Sequence, residues 1–329
     1  MTFPVPNTLG VQAQATIGGV IRTVDQLSRL RLQAHENDLP FIVIGDGSNI
    51  VPANQTRACI GVMRIPGIYT RKASGDAVLV EVAAGESWHA LVLFCLARGL
   101  HGLENLALIP GRVGAAPIQN IGAYGVELAD YVQAVDVIDG EGSHHRLTRD
   151  ECEFSYRDSV FKRRTELVVT HLHLKLCTEF RPVLDYPGVR SALEQLGVAQ
   201  FKAADLVNAV MAIRREKLPD PLQEPNAGSF FVNPIVSVET ANQLRSQLGD
   251  LQTYAYGGQV KLSAAELIDK AGWKSRGSKK VSCWPQQPLV IVNRGETEAE
   301  KILQFAYEIQ EDIRRQFQVS LELEPSVLS

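Results

Sequence analysis

A chain of 329 residues, 45% hydrophobic and 21% charged, has enough apolar material for an ordinary core, and its length points to two or three domains. Its formal net charge of −4 removes any general electrostatic reason to bind nucleic acid or an anionic membrane, although local basic positions can still hold a phosphate. Five scattered cysteines without a CxxC pair predict reduced, mostly buried thiols, and neither a redox disulfide nor a zinc knuckle.

Residues 1–7 lack the charged start and apolar stretch of a signal peptide, and the most apolar segment, 90–97, is far too short to span a bilayer. A cytoplasmic protein is therefore expected. Helices and strands alternate irregularly, which predicts an α+β chain. Thr23-Val24-Asp25-Gln26 reads as a capping box that opens a helix to about Glu36. Pro40 then starts the apolar run 41–44, a buried strand by length and β-branching. Short runs over 60–82 suggest hairpins. Ser87 caps a helix over 88–98, with Gly99 where a left-handed C-terminal residue belongs. Residues 128–176 read mostly as strands, with Val168, Thr170, Leu172 and Leu174 alternating. A helix over 203–218 stops at Pro219, and three prolines make 218–226 a fixed loop. Capping boxes at Ser263–Glu266 and Thr297–Glu300 open two more helices, the second reaching about Phe317. A closing strand is expected over 319–324.

Two segments point to chemistry. In Ile44-Gly45-Asp46-Gly47-Ser48-Asn49 a strand runs into Gly-x-Gly, but no third glycine follows and Pro52 interrupts where a dinucleotide-binding helix should begin. The loop reads either as an anion nest of backbone N–H groups, with Ser48 and Asn49 as side-chain donors, or as a simple hairpin turn. The second segment, 109–125, packs glycines and alanines among amides and one aromatic, a composition that lets backbone approach a large flat ligand closely.

Gly-Asp-Gly-Ser-Asn after an early strand, then Leu-Glu-Asn-Leu-Ala-Leu-Ile-Pro-Gly at 103–111 and Gln-Asn-Ile-Gly-Ala-Tyr-Gly at 119–125, resembles the UDP-N-acetylenolpyruvoylglucosamine reductases, also called UDP-N-acetylmuramate dehydrogenases. The likeness continues through Tyr156-Arg157-Asp158-Ser159, Lys217-Leu218-Pro219-Asp220-Pro221, Ala227-Gly228-Ser229-Phe230-Phe231-Val232-Asn233-Pro234 and Leu323-Glu324-Pro325, so it covers nearly the whole chain. It implies a vanillyl-alcohol-oxidase-type (PCMH) FAD-binding domain in two subdomains, 1–56 and 57–200, followed by a smaller α+β substrate-binding domain, 201–329. It also implies NADPH-dependent reduction of a UDP-sugar enolpyruvyl ether in cell-wall precursor synthesis; a monomer is expected, and the charge balance predicts no nucleic-acid or membrane partner. The alternatives are another flavin oxidase of the same fold acting on a small alcohol, and a flavin- or nucleotide-binding regulator.

By the same resemblance FAD lies against Gly45, Asp46, Gly47, Ser48 and Asn49 and against Gly114, Ala115, Ala116, Pro117, Gln119, Asn120, Gly122, Ala123, Tyr124 and Gly125. Neither loop offers a histidine for covalent attachment, so the flavin is expected to be non-covalent. Arg214 is placed near the flavin edge, or alternatively in a salt bridge within its helix. Hydride delivery to an enolpyruvyl double bond builds carbanion character beside the carboxylate, which must be stabilised and then protonated. Arg157 matches the cation at that position (its alternative is an ion pair with Asp158), Ser229 the proton donor, and Glu324 the carboxylate polarising the developing enolate. Read without the family, Glu322 and Glu324 form a solvated strand face. Tyr186, Lys217, Asn233, Tyr254 and Gln287 match substrate contacts, with Tyr256 as close a candidate as Tyr254 for the loop of the longer, enterobacterial-like class. Three departures stand out: Asp46 where glycine is common, Lys279-Lys280-Val281-Ser282, and Trp284, in a region usually made of small residues followed by histidine. No metal site is expected, because the seven histidines form no HExxH motif and His171 and His173, which share a strand face, lack a third ligand.

Overall fold

The computed structural model describes residues 2–186, 188–195, 197, 200–274 and 276–329; Pro187, which follows Tyr186 in its motif, lies outside them. The chain folds as two compact units, one holding 15–46 and 57–215, the other 4–14, 47–56 and 216–329. Among the described residues no helix is long and apolar enough to cross a membrane.

In the first unit, five antiparallel strands take the order His144–Thr148, Val132–Ile138, Val168–Cys177, Ala77–Ala83, Ile68–Lys72. The alternation read from the sequence acts here: Leu172 stands opposite both Val135 and Val82, and all three are fully buried. His173, on the opposite face of its strand, places Nε2 2.8 Å from Asp136 Oδ2, and Asp136 also accepts from Arg146 Nε at 2.6 Å. Burial pushes the Asp136 carboxyl up, but the bonds from Arg146 and His173 outweigh it and hold the group below its usual range. The histidine strand therefore carries an ion-pair cluster, and a guanidinium beside it opposes a bound cation. Among the described residues no group of three potential ligands could hold a metal.

The helix Val24–Glu36 begins as expected, with Thr23 Oγ1 accepting from the Gln26 N–H, while Gln26 Oε1 reaches one residue further back, to the Arg22 N–H. Ser87 caps Trp88–Ala97, and Gly99 takes φ +64° past its end. Trp88 is buried and donates from Nε1 to the Leu106 carbonyl at 2.9 Å, tying this helix to the turn Glu104–Leu106. Residues 60–82 are only partly hairpin. Ile68–Lys72 and Ala77–Ala83 pair antiparallel, but Gln55–Met63 runs parallel to Phe41–Ile44. Local alternation carries no record of a parallel partner reached through a crossover.

The second unit contains the sheet Asn226–Ser229, Gln287–Asn293, Val281–Trp284, and a smaller one of Ile235–Val236, Gln259–Leu262 and Thr253–Tyr256. Ile302, Ala306, Ile309, Ile313 and Phe317 line the buried stripe of the helix Ala299–Phe317, at the spacing of one helical face. Two expectations fail here. Thr297 does not cap this helix; its N-cap is Glu298, which makes no side-chain capping bond. Asn54 Oδ1 accepts from the Ala299 N–H instead, and Glu296 Oε1 accepts from the Thr297 and Glu298 N–H groups. Nor is 319–324 a regular strand. Val319 and Leu321 are buried, but only Leu323 forms a bridge, to Phe231, and the terminal strand is Ser326–Leu328, parallel to Ile50–Pro52.

Asn54→Ala should therefore destabilise the protein by about 1 kcal/mol in urea unfolding, the usual cost of a lost cap, whereas Thr297→Ala should change it by less than about 0.5 kcal/mol. The reverse order would return the cap to Thr297.

Candidate functional site

The strand Phe41–Ile44 delivers the first glycine loop. Asp46, the residue that departs from the expected glycine, is gripped by two arginines: Arg64 Nη2 donates to Oδ1 at 2.8 Å, and Arg112 Nε donates to both oxygens at 2.8 and 2.9 Å. Arg112 also donates to the Gly85 carbonyl and Arg64 to the Gly45 carbonyl. Two guanidiniums against one carboxylate leave the cluster with one net positive charge, so Asp46 does not set a bare anion beside an incoming phosphate. Gly47 has a structural reason of its own. At φ +70° a Cβ would lie 2.1 Å from the Pro6 carbonyl oxygen, so packing against 6–7 admits no side chain. Asn49 Nδ2 donates to the Glu324 carbonyl at 3.3 Å, and the Asn49 carbonyl accepts from the Ser326 N–H at 3.0 Å. It positions the segment of a catalytic candidate.

The second segment behaves similarly. A Cβ on Gly114 would meet Ala84 Cβ at 2.6 Å, a demand of packing. Asn120 is fully buried, and its amide is spent on the Glu127 carboxylate, the Ser155 carbonyl and the Ala129 N–H, so its side chain builds the loop. Arg157, in the left-handed region at φ +54°, donates from Nη2 to the Gly122 carbonyl at 2.8 Å and lies 5.2 Å from the centre of its neighbour Tyr156. Asp158, the alternative partner for Arg157, pairs with Arg163. Tyr186 meets Tyr124 edge to face, 5.4 Å between centroids, and so sits on the glycine-rich segment itself. Asn105 holds this arrangement, donating to the Tyr124 and Val183 carbonyls.

Arg214 supplies the test of a flavin. Its Nε is buried without a hydrogen-bond partner. Burial depresses its guanidinium against the pull of the Tyr124 hydroxyl, to which it is hydrogen-bonded, and Arg157 depresses it further. A guanidinium with a buried Nε beside another cation, with no carboxylate among the described residues to offset it, is costly unless a ligand brings electron-rich oxygen or nitrogen. FAD has such atoms on its ring system and in its diphosphate, and the net-positive Asp46 cluster suits the latter. Residues 45–49 and 109–125 contain no histidine. The first unit fits a non-covalent flavin.

In the second unit the backbone segments that carry Ser229 and Glu324 are joined. The Glu324 N–H donates to the carbonyl of Phe230, the residue after Ser229, at 3.0 Å, and the Val232 N–H donates to the Glu322 carbonyl at 3.0 Å. Glu324 is half-buried and Glu322 exposed, so the two carboxylates do not share a solvated face. Asn226 shapes the turn before Ser229. Its Oδ1 accepts from the Gly228 N–H at 2.9 Å while its Nδ2 donates to the Glu224 carbonyl at 2.8 Å. A Cβ on Gly228 would meet open space, but φ is +73°, so glycine serves the turn. Asn233 Oδ1 accepts from the Ala264 N–H at the start of the helix Ala264–Lys270, which leaves ligand contact to its amide nitrogen. Lys217 ends the helix Ala203–Lys217 and is exposed. Tyr254 sits on a hairpin opposite Lys261, whose ammonium lies 5.5 Å from its ring and 6.0 Å from that of Tyr256. Gln287 opens its strand, with Oε1 buried and unpartnered.

Sequence reasoning missed Arg64, Arg112, Asn105 and Asn226. Asn105 and Arg112 lie inside segments that the resemblance had already singled out, but their partners are distant in sequence. Asp46→Asn should cost about 1–2 kcal/mol of stability at low ionic strength, because it leaves two neighbouring guanidiniums unneutralised, and the loss should grow smaller in high salt if the arginines' mutual repulsion is its source. Denaturant titration at two salt concentrations measures both; no loss at low salt would make the Asp46 cluster dispensable.

Residues 19–148 match the FAD binding domain family, and residues 220–328 match the UDP-N-acetylenolpyruvoylglucosamine reductase C-terminal domain family. The chain is 43% identical over 324 residues to the UDP-N-acetylenolpyruvoylglucosamine reductase of Pseudomonas aeruginosa, covering 98% of this chain and 96% of that one. It is 42% identical over 325 residues to the enzyme of that name from Burkholderia ambifaria, covering 97% and 93%. Its fold matches the crystal structure of the Thermus caldophilus UDP-N-acetylenolpyruvylglucosamine reductase with a TM-score of 0.70 at 24% identity, over 100% of this chain and 99% of that one. A flavin-binding domain followed by the reductase C-terminal domain, with identity above 40% along nearly all of its length, makes this chain a member of the UDP-N-acetylenolpyruvoylglucosamine reductase family.

Proposed function

We propose that the chain uses non-covalent FAD, reduced by NADPH, to convert UDP-N-acetylglucosamine enolpyruvate to UDP-N-acetylmuramate in peptidoglycan precursor synthesis. The observation that carries this reading is the pairing of the Ser229 and Glu324 segments through the Phe230 carbonyl, in a chain with such relatives. A small-alcohol oxidase would have no use for that pair. Segments 1–56 and 57–200 are the flavin-binding subdomains in this reading, and 201–329 the substrate-binding domain. The hairpin bearing Tyr254 supports the enterobacterial-like class, with that ring closing over the UDP moiety. The enzyme acts as a cytoplasmic monomer.

Bound FAD would supply the redox chemistry, passing reducing equivalents from NADPH to the enolpyruvyl double bond. Arg157, tied to the glycine-rich segment through the Gly122 carbonyl, stabilises negative charge at the substrate carboxylate. Glu324, in its protonated form, polarises the developing enolate. Ser229 gives its hydroxyl proton to the adjacent carbon, its geometry set by the Gly228 turn. Lys217, Asn233, Tyr186 and Gln287 bind the sugar-linked groups and phosphates. Arg214 and Tyr124 hold the flavin edge, and 45–49 the diphosphate.

The purified protein should be yellow, and acid or heat should release the flavin intact. A colourless protein that takes up no FAD would contradict the cofactor, and flavin that stays in the precipitate would contradict non-covalent binding.

Ser229→Ala separates the half-reactions. NADPH reducing the flavin requires no proton donor to carbon, so that step should stay near its original rate. Reoxidation by the enolpyruvyl substrate should slow at least about 10²-fold, the effect of losing a general acid. Rapid-mixing absorbance of the flavin band follows each step alone. Equal slowing of both would make Ser229 a shaping residue, and slowing of neither would remove its role.

A further inference from the structure

Trp284 is the departure from the family pattern that none of the roles above absorbs. Val281–Trp284 and Gln287–Asn293 form a hairpin closed by Pro285 and Gln286, and Trp284 stands directly opposite Gln287 in the register. Residues so paired carry Cβ atoms about 5 Å apart. Trp284 Nε1 and Gln287 Oε1 are both buried, and neither has a hydrogen-bond partner among the described residues. Trp284 belongs to neither apolar cluster of the described residues. Both side chains are half-buried beside an exposed turn, so a rotation of either brings its polar atom to solvent.

The chemistry of the pair selects its ligand. An indole N–H only donates, and a carboxamide oxygen only accepts. A phosphate or carboxylate oxygen would satisfy Trp284 and repel Gln287 Oε1, and an ammonium would satisfy Gln287 alone. A hydroxyl does both with one atom, accepting from the indole and donating to the amide oxygen. We propose that Trp284 and Gln287 form a two-point receptor for a hydroxyl of the bound sugar nucleotide, making Trp284 a specificity-determining residue. The inference rests on the sugar-nucleotide reading above, and it assigns the contact to a sugar hydroxyl in preference to the diphosphate or the enolpyruvyl carboxylate.

Calorimetric titration of the FAD-loaded protein with UDP-N-acetylglucosamine and with UDP tests it. Trp284→Phe removes the donor and keeps a ring, and Gln287→Met removes the acceptor and keeps the length. Each should weaken UDP-N-acetylglucosamine binding about tenfold. The double variant should lose much less than the product of the two, because both bonds end on one hydroxyl. Equal losses for UDP would identify a ribose hydroxyl, and losses confined to UDP-N-acetylglucosamine a hydroxyl of the hexose; either supports the receptor. Unchanged affinity in both variants, with wild-type binding intact, would overturn this inference alone and leave a bridging water as the occupant. Failure of the wild type to bind either nucleotide would overturn the sugar-nucleotide reading and this inference together.

Discussion

The hydrogen bond from the Glu324 amide to the Phe230 carbonyl is the contact on which the candidate catalytic pair of the second unit depends. It joins the turn carrying Ser229 to an irregular segment near the end of the chain. Its neighbours hold it in place. Phe230 and Phe231 are buried, Leu323 bridges Phe231, and Asn49 takes the Glu324 carbonyl from the other side. An extended segment that makes single bridges has few backbone bonds of its own, so these contacts decide where the Glu324 carboxyl points.

Charge is organised differently in the first unit. Asp46 neutralises one of two arginines, which confines and orients both without cancelling their joint field. Arg214 has no such partner. Burial and Arg157 both weigh against its charged form, and the Tyr124 hydroxyl offsets only part of this. A guanidinium held this way beside a glycine-rich backbone suits a ligand that brings electron density, as preorganised electrostatics requires. Gly114 is needed to let the chain pack against Ala84, so this small residue serves the scaffold of the first unit.

The helices and the five-stranded sheet were largely legible from periodicity, because their signals are local: a cap three residues from its amide, or alternation along one strand. The candidate residues of the site were legible only through the resemblance. Asp46, Ser229 and Glu324 have unremarkable neighbours, and Glu324 alone reads as a solvated strand face.

Sequence by itself determined the α+β class, the left-handed turn at Gly99, the breaks at Pro219 and Pro221, and the family. Each of these resides in residue type and spacing along the chain. Tertiary structure alone decided that Asn54 and Glu296 begin the helix Ala299–Phe317, that Gln55–Met63 pairs parallel with Phe41–Ile44, that the Asn120 side chain bonds Glu127, and that Arg163 pairs with Asp158. In every one of these a polar group had several local candidates for a partner, and packing chose the one it brought within hydrogen-bond reach. Buried polar groups must be satisfied, but the pattern along the chain does not say by whom.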